Sequence, residues 1–202
     1  MTNDVTRNAD FWNQLYIDKN TGWDIGRSTP IFVNWSKTLN SKLKILIPGC
    51  GNCYDGIYLS KQNHNVYALD FSENVIDEII KKSNEEKVSL KAICDDYFLF
   101  NQSYNNKFDI LLEYTFFCAI PINMRELYVE KAFNVLKPGG QLVAIFIPIS
   151  KKTKKEGPPF YVDLDKTLKM FEKYFVVESI DMEPQSIKQR IGNEAFVKMV
   201  RK

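Results

Sequence analysis

Lys44-Ile45-Leu46-Ile47-Pro48-Gly49-Cys50-Gly51-Asn52-Cys53-Tyr54-Asp55 reads as a short apolar strand, a turn bearing two glycines, and the polar start of a helix. Glycine lets a ligand approach the backbone closely, and a helix opening just after the turn offers it unpaired N–H groups. A second strand, Val66-Tyr67-Ala68-Leu69-Asp70, follows and ends in an acid. That acid stands roughly twenty residues beyond the turn, the placement of a carboxylate that accepts hydrogen bonds from the vicinal hydroxyls of a ribose.

Outward from this pair the pattern keeps alternating. A helix over about Tyr54 to Gln62 and a helix capped by Ser72, carrying Val75, Ile76, Ile79 and Ile80, flank the second strand. Further strands are read at Leu90–Cys94, Phe108–Tyr114, Gln141–Ile147, Val176–Met182 and Ala195–Val200. A helix over about Ile122 to Leu136 leads into a hairpin-like turn at Leu136-Lys137-Pro138-Gly139-Gly140, and a helix later places Leu164, Leu168, Phe171 and Phe175 in register. The alternation predicts an α/β fold: a Rossmann-like, doubly wound, mostly parallel seven-stranded sheet covered on both faces.

Before the first strand the chain is dense in aromatic residues. Met1 to Ala9 is polar and reads as loose, and Asp10 caps a short amphipathic helix bearing Phe11, Trp12, Leu15 and Tyr16. Thr21 to Pro30 is irregular, and a second helix runs from Pro30 to Leu39. By periodicity Trp12, Tyr16 and Trp23 pack as ordinary core; the sharper reading is a roof over a ligand. We therefore expect one domain over 1–202, with a helical lid region at 1–42 and a cofactor-binding core at 43–202.

The chain has 202 residues and a formal net charge of +2, with mixed Lys and Glu. That balance builds no field for nucleic acid or an anionic membrane and suits a small-molecule partner. The longest apolar stretch, Leu142 to Ile149, is too short to span a bilayer, so a soluble, cytoplasmic and monomeric protein is expected. Cys50 and Cys53 form a C-x-x-C that could be a redox pair or half a zinc site. Cys94 and Cys118 are too far apart to supply the other half, so no metal is expected and the cysteines read as small residues of a tight turn. Lys151 to Lys155 reads as a solvated loop within an insertion from Ser150 to Val162.

In such a sheet ligands bind beyond the carboxyl ends of the strands, where Gly49, Gly51, Asp70, Asp95-Asp96 and Glu113-Tyr114 converge. A dinucleotide fingerprint G-x-G-x-x-G requires glycine where Tyr54 stands, which argues against a nicotinamide dehydrogenase and for a nucleoside without pyrophosphate. The chain resembles class I S-adenosylmethionine-dependent methyltransferases, more narrowly the thiopurine S-methyltransferase superfamily with its thiol and halide branch. The carriers are Trp12 to Tyr16, Gly22 to Arg27 with Pro30, Pro48 to Gly51, Leu69-Asp70, Glu113 to Ile120, Leu136 to Gly140 and Gly157 to Val162, spread from about Phe11 to the end.

The resemblance implies S-adenosyl-L-methionine as cofactor, held by Trp12, Tyr16, Trp23, Gly49, Gly51, Asp70, Asp95, Asp96 and Tyr114. Cys53 stands where many relatives have glycine, and Tyr16 replaces a more usual tryptophan. Methyl transfer is an in-line displacement that demands alignment and dryness more than acid–base work. His64, the sole histidine, lies in a polar turn away from the crevice, so a soft nucleophile, a thiol or sulfide, is the expected acceptor. Its pocket is expected to involve Phe116, Phe117 and the loop Pro159-Phe160-Tyr161, with Arg190 an anion anchor. Halide or thiocyanate is the alternative acceptor; halide-type relatives carry tyrosine where Phe160 stands, so halide methylation is expected only if Tyr161 substitutes. A non-catalytic adenosine-ligand or partner-binding domain is the rival from another class.

Overall fold

The computed structural model describes residues 5–150 and 157–202. Seven strands there form one sheet: β1 (Lys44–Pro48), β2 (Asn65–Asp70), β3 (Leu90–Cys94), β4 (Phe108–Tyr114), β5 (Leu136–Phe146), β6 (Phe175–Asp181) and β7 (Ala195–Arg201). Their order is β3-β2-β1-β4-β5-β7-β6. The ladders from β3 through β5 are parallel, and β7 runs antiparallel to both β5 and β6. The sheet is therefore mixed, with one reversed strand. Winding reverses between β1 and β4, so the crevice opens beyond Pro48 and Tyr114.

Period-two alternation sends Ile45 and Ile47 of β1 to one face and Leu46 to the other. The first face buries Leu59 of α3 (Tyr54–Lys61), Val75, Ile76 and Ile79 of α4 (Glu73–Glu85), and Phe32 and Trp35 of α2 (Pro30–Ser36). The second buries Tyr128, Val129 and Ala132 of α5 (Arg125–Val135) and Phe171 of α6 (Leu164–Phe171). Fully burying each of these large side chains stabilises the fold by about 1.5–3 kcal/mol. The layers carry the strand ends rigidly to the crevice.

Several local expectations shift. Val5–Arg7, expected to be loose, forms a 3-10 turn that leads into α1 (Ala9–Ile17). Asn8 caps α1 by accepting the Asp10 N–H, which displaces Asp10 from the capping role. The segment at Leu136 continues as β5 because Leu136 pairs with Phe108 across a break in register. Helix α6 stops at Phe171, and Phe175 becomes the first residue of β6. The run Lys151 to Lys155 lies outside the described residues. No helix among the described residues is long and apolar enough to cross a membrane.

Candidate active site

The floor is the turn after β1. Gly49 and Gly51 hold φ of +55° and +50°, a region that favours glycine. A Cβ on Gly49 would stand 2.6 Å from Cγ of Phe116, and one on Gly51 would stand 2.7 Å from the Tyr16 hydroxyl. The room these glycines leave is thus taken first by two side chains that bracket the crevice. Asp70 ties the floor together: Oδ2 accepts the Gly51 N–H at 3.2 Å and Oδ1 the Ser72 N–H at 3.1 Å. Burial pushes the Asp70 carboxyl above its usual range, and those N–H groups oppose the shift.

The roof comes from α1 and the segment after it. Trp12 and Trp23 meet edge to face at 5.4 Å, Tyr16 and Trp23 at 5.7 Å, and Trp12 Nε1 donates to the Thr6 carbonyl at 2.8 Å. Each such ring pair adds about 0.5–1.5 kcal/mol beyond its buried area. Three bonds fasten the roof to the core: Ser72 Oγ to Asn13, Asn52 Nδ2 to Asp24, and Arg190 Nη2 to the Trp23 carbonyl at 2.6 Å. Asn52 is held in turn by Lys82 Nζ at 2.6 Å.

Between floor and roof lies a cavity of about 490 Å³, a size suited to a nucleoside ligand. Of the residues expected from sequence, Trp12, Tyr16, Trp23, Gly49, Asp70, Phe116 and Arg190 line it. An adjoining recess of about 30 Å³ shares Gly49, Asp70 and Phe116 and adds Asp95 and Asp96. There Asp95 accepts the Asp96 N–H at 2.8 Å, and Asp96 accepts the Phe98 N–H at 2.8 Å and pairs with Arg7 at 3.2 Å.

Other expected residues sit beside the cavity rather than on it. Gly51 lies beneath Tyr16. Phe117 is 1% exposed and packs on Tyr128 and Phe146, because the turn after β4 sends alternate side chains to the core. Of the expected loop Pro159-Phe160-Tyr161 only Pro159 lines the cavity, together with Pro158. Tyr114 donates to Glu194 at 2.8 Å, accepts from Arg190, and has the Arg190 guanidinium 5.0 Å over its ring. That face is occupied. Arg190 also pairs with Glu194 at 3.5 Å, so its charge is largely met and it serves first as a brace for the roof. His64 is buried at the opposite end of the sheet, where Nδ1 accepts the Leu43 N–H at 3.2 Å.

Sequence reasoning passed over Phe11, Phe71, Thr115 and Ile147, all of which line the cavity. Phe71 could have been found from its place directly after Asp70. It also passed over the task of Glu113, whose Oε1 accepts the N–H groups of Phe116 and Phe117 at 3.1 and 2.7 Å while Oε2 accepts the Tyr128 hydroxyl at 2.8 Å. This carboxylate fastens the turn in which Thr115 holds a φ of +62° and Phe116 is laid on Gly49. Burial pushes Glu113 up to about 7.

A doubly wound sheet, a glycine turn after β1, an acid ending β2 and an aromatic-roofed cavity over both make a Rossmann-like nucleoside site, and the family match makes its class the S-adenosylmethionine-dependent methyltransferases. The cavity joins a carboxylate to a largely apolar lining, which fits a ligand with a sugar at one end and a sulfonium at the other. The chain belongs to the thiopurine S-methyltransferase family, whose family model matches residues 7–201. It is 30% identical over 195 residues to thiocyanate methyltransferase 1 of Arabidopsis thaliana, covering 91% of this chain and 81% of that one. It is 28% identical over 190 residues to a probable thiol methyltransferase 2 of the same plant, covering 90% and 82%. A Burkholderia thailandensis 1,6-didemethyltoxoflavin-N1-methyltransferase, solved with S-adenosylhomocysteine, shares the fold at a TM-score of 0.73 and 16% identity, covering 98% of this chain and 88% of that one.

Proposed function

We propose that the protein moves the methyl group of S-adenosylmethionine to a small thiol or to hydrosulfide. The observation that carries this reading is the ionisable set on the cavity wall: among the described residues it comprises Tyr16, Asp70, Cys118 and Arg190. Burial raises Tyr16, and it pushes the Cys118 thiol up to about 12. Asp70 is engaged by backbone N–H groups and Arg190 by Glu194 and Tyr114. Tyr16 and Cys118 therefore keep their protons near neutral pH, and with Asp70 given to the ribose and Arg190 to its own partners no wall side chain is left free to take a proton from the acceptor. An acceptor whose nucleophilic form is already populated, such as a thiolate, needs none.

S-adenosylmethionine supplies a methyl on a positively charged sulfur. In this reading Asp70 accepts its ribose hydroxyls with lone pairs left by the two backbone bonds, since a carboxylate offers about four acceptor sites. Asp95 and Asp96 flank the base end in the adjoining recess. Trp12, Tyr16 and Trp23 exclude water and present ring faces to the sulfonium. Phe116, Arg190 and the Pro158–Pro159 segment receive the acceptor. The lid region 1–42 and the core 43–202 act as one domain of a monomeric, cytoplasmic enzyme with no nucleic-acid partner.

Thiocyanate and halide form the second reading, supported by the likeness to a thiocyanate methyltransferase. Methyl transfer from labelled S-adenosylmethionine to hydrosulfide, small thiols, a thiopurine, iodide and thiocyanate separates the two. Labelled methyl sulfides are expected. Transfer confined to iodide or thiocyanate overturns the thiol assignment, and cofactor binding without transfer to any acceptor establishes a non-catalytic domain.

A further inference from the structure

Arg125 breaks two rules at once. It is the first residue of α5, where the helix dipole favours an acid over a cation. It is also 5% exposed, which carries a desolvation cost. What it holds is a wall of the cavity. Nη1 donates to the Tyr161 carbonyl at 3.1 Å, Nη2 to the Phe160 carbonyl at 3.4 Å, and the guanidinium lies 4.6 Å over the Phe117 ring.

The Phe160 N–H in turn donates to the Cys118 carbonyl at 2.7 Å. Two stretches that line the cavity, Pro158–Pro159 and the turn from Thr115 to Ala119, are thereby stitched together from behind. Glu113 supplies the neighbouring negative charge and fastens the same turn through the Phe116 and Phe117 N–H groups. Neither Arg125 nor Glu113 lines the cavity.

We propose that Arg125 is a positioning residue for the methyl acceptor: by clamping the Phe160 and Tyr161 carbonyls over Phe117, it fixes where Pro158 and Pro159 stand and so limits the bulk of the acceptor. The inference rests on the reading that this cavity joins S-adenosylmethionine to a thiol. The Asp70 bonds to the Gly51 and Ser72 N–H groups involve neither Arg125 nor the stretches it clamps, so loss of the clamp acts first on the acceptor side. Bulky acceptors touch that wall and hydrosulfide scarcely does.

The test uses the full chain with Arg125→Met, which keeps apolar packing on Phe117 and removes every donor, and Arg125→Lys, which keeps the charge and reaches one carbonyl. S-adenosylhomocysteine affinity, kcat and KM for thiophenol and for hydrosulfide, and amide hydrogen exchange at Phe160 and Val162 are measured. The kcat/KM ratio of thiophenol to hydrosulfide is expected to shift about tenfold in Arg125→Met, mostly through KM, with S-adenosylhomocysteine affinity within about twofold of wild type and faster exchange at Phe160. Arg125→Lys is expected to fall between, and it carries the test if Arg125→Met does not fold. A ratio that stays put, exchange at Phe160 that stays put, or cofactor affinity lost in step with acceptor KM each overturns the proposal. If wild type binds no S-adenosylhomocysteine, the functional reading fails instead, while the exchange measurement still decides whether the clamp exists.

Discussion

Replacing Glu113 by glutamine separates the charge of this buried group from its shape. In the folded chain the carboxyl is pushed from the ordinary 4.5 up to about 7, chiefly by burial, with the Phe117 and Phe116 N–H groups, the Tyr128 hydroxyl and Arg125 opposing the shift. At about 1.4 kcal/mol per pH unit, that rise corresponds to about 3 kcal/mol. Its sign follows from proton binding. The folded protein holds this proton more tightly than the unfolded chain, so the associated stability is fully present below about pH 4.5 and is lost as pH rises through about 7.

Glutamine keeps an oxygen for the Phe116 and Phe117 N–H groups and removes the titration; it leaves the Tyr128 hydroxyl proton without its acceptor, a pH-independent loss of about 1 kcal/mol. Asp55, pushed up to about 6, and Asp109, held low by Lys137, titrate in both proteins and cancel in the difference. Urea unfolding of the two proteins from about pH 4 to about pH 8 should therefore show Glu113→Gln gaining about 3 kcal/mol on wild type across the range. Two parallel profiles would refute a buried, titrating Glu113.

Asp70→Ala should weaken S-adenosylhomocysteine binding at least about tenfold, or about 1.4 kcal/mol, in a calorimetric titration, and an unchanged affinity would mean that the ribose lies elsewhere. Gly49→Ala places a methyl group against the Phe116 ring at a φ of +55°. It should cost about 1–2 kcal/mol in urea unfolding from backbone strain alone and reduce cofactor affinity with it; wild-type stability would show that Gly49 does not hold this left-handed conformation. With a thiol acceptor at limiting concentration, the rate should climb with pH up to the thiol's own ionisation near about 8.5, because no wall residue supplies a base. A flat profile would favour thiocyanate or a halide.

The sheet was legible because its signals are local and repeated. The unbroken apolar run Ile45-Leu46-Ile47 and the acid closing β2 state the parallel core in a few residues. Less legible were features decided by partners distant in sequence. Phe117 and Phe116 are adjacent and chemically alike, and only the turn held by Glu113 sends one to the core and the other to the cavity. Tyr114 reads as a cavity aromatic until Arg190 and Glu194, both from the segment before β7, are seen to engage it. Asn8 takes the cap from Asp10 because chain geometry, which composition leaves open, decides which side chain reaches a free N–H. Trp12 and Trp23 line the cavity although helical periodicity alone would bury them as core, and the resemblance supplied what periodicity could not.

The central claim is that a sulfonium nucleoside lies between the Gly49 turn and the three amino-terminal rings. Crystals grown with S-adenosylhomocysteine test it most directly. The account predicts both ribose hydroxyls within hydrogen-bond distance of Asp70 and the sulfur beneath Trp12, Tyr16 and Trp23. Density for the nucleoside anywhere else, or a cavity left vacant at saturating ligand, would contradict it.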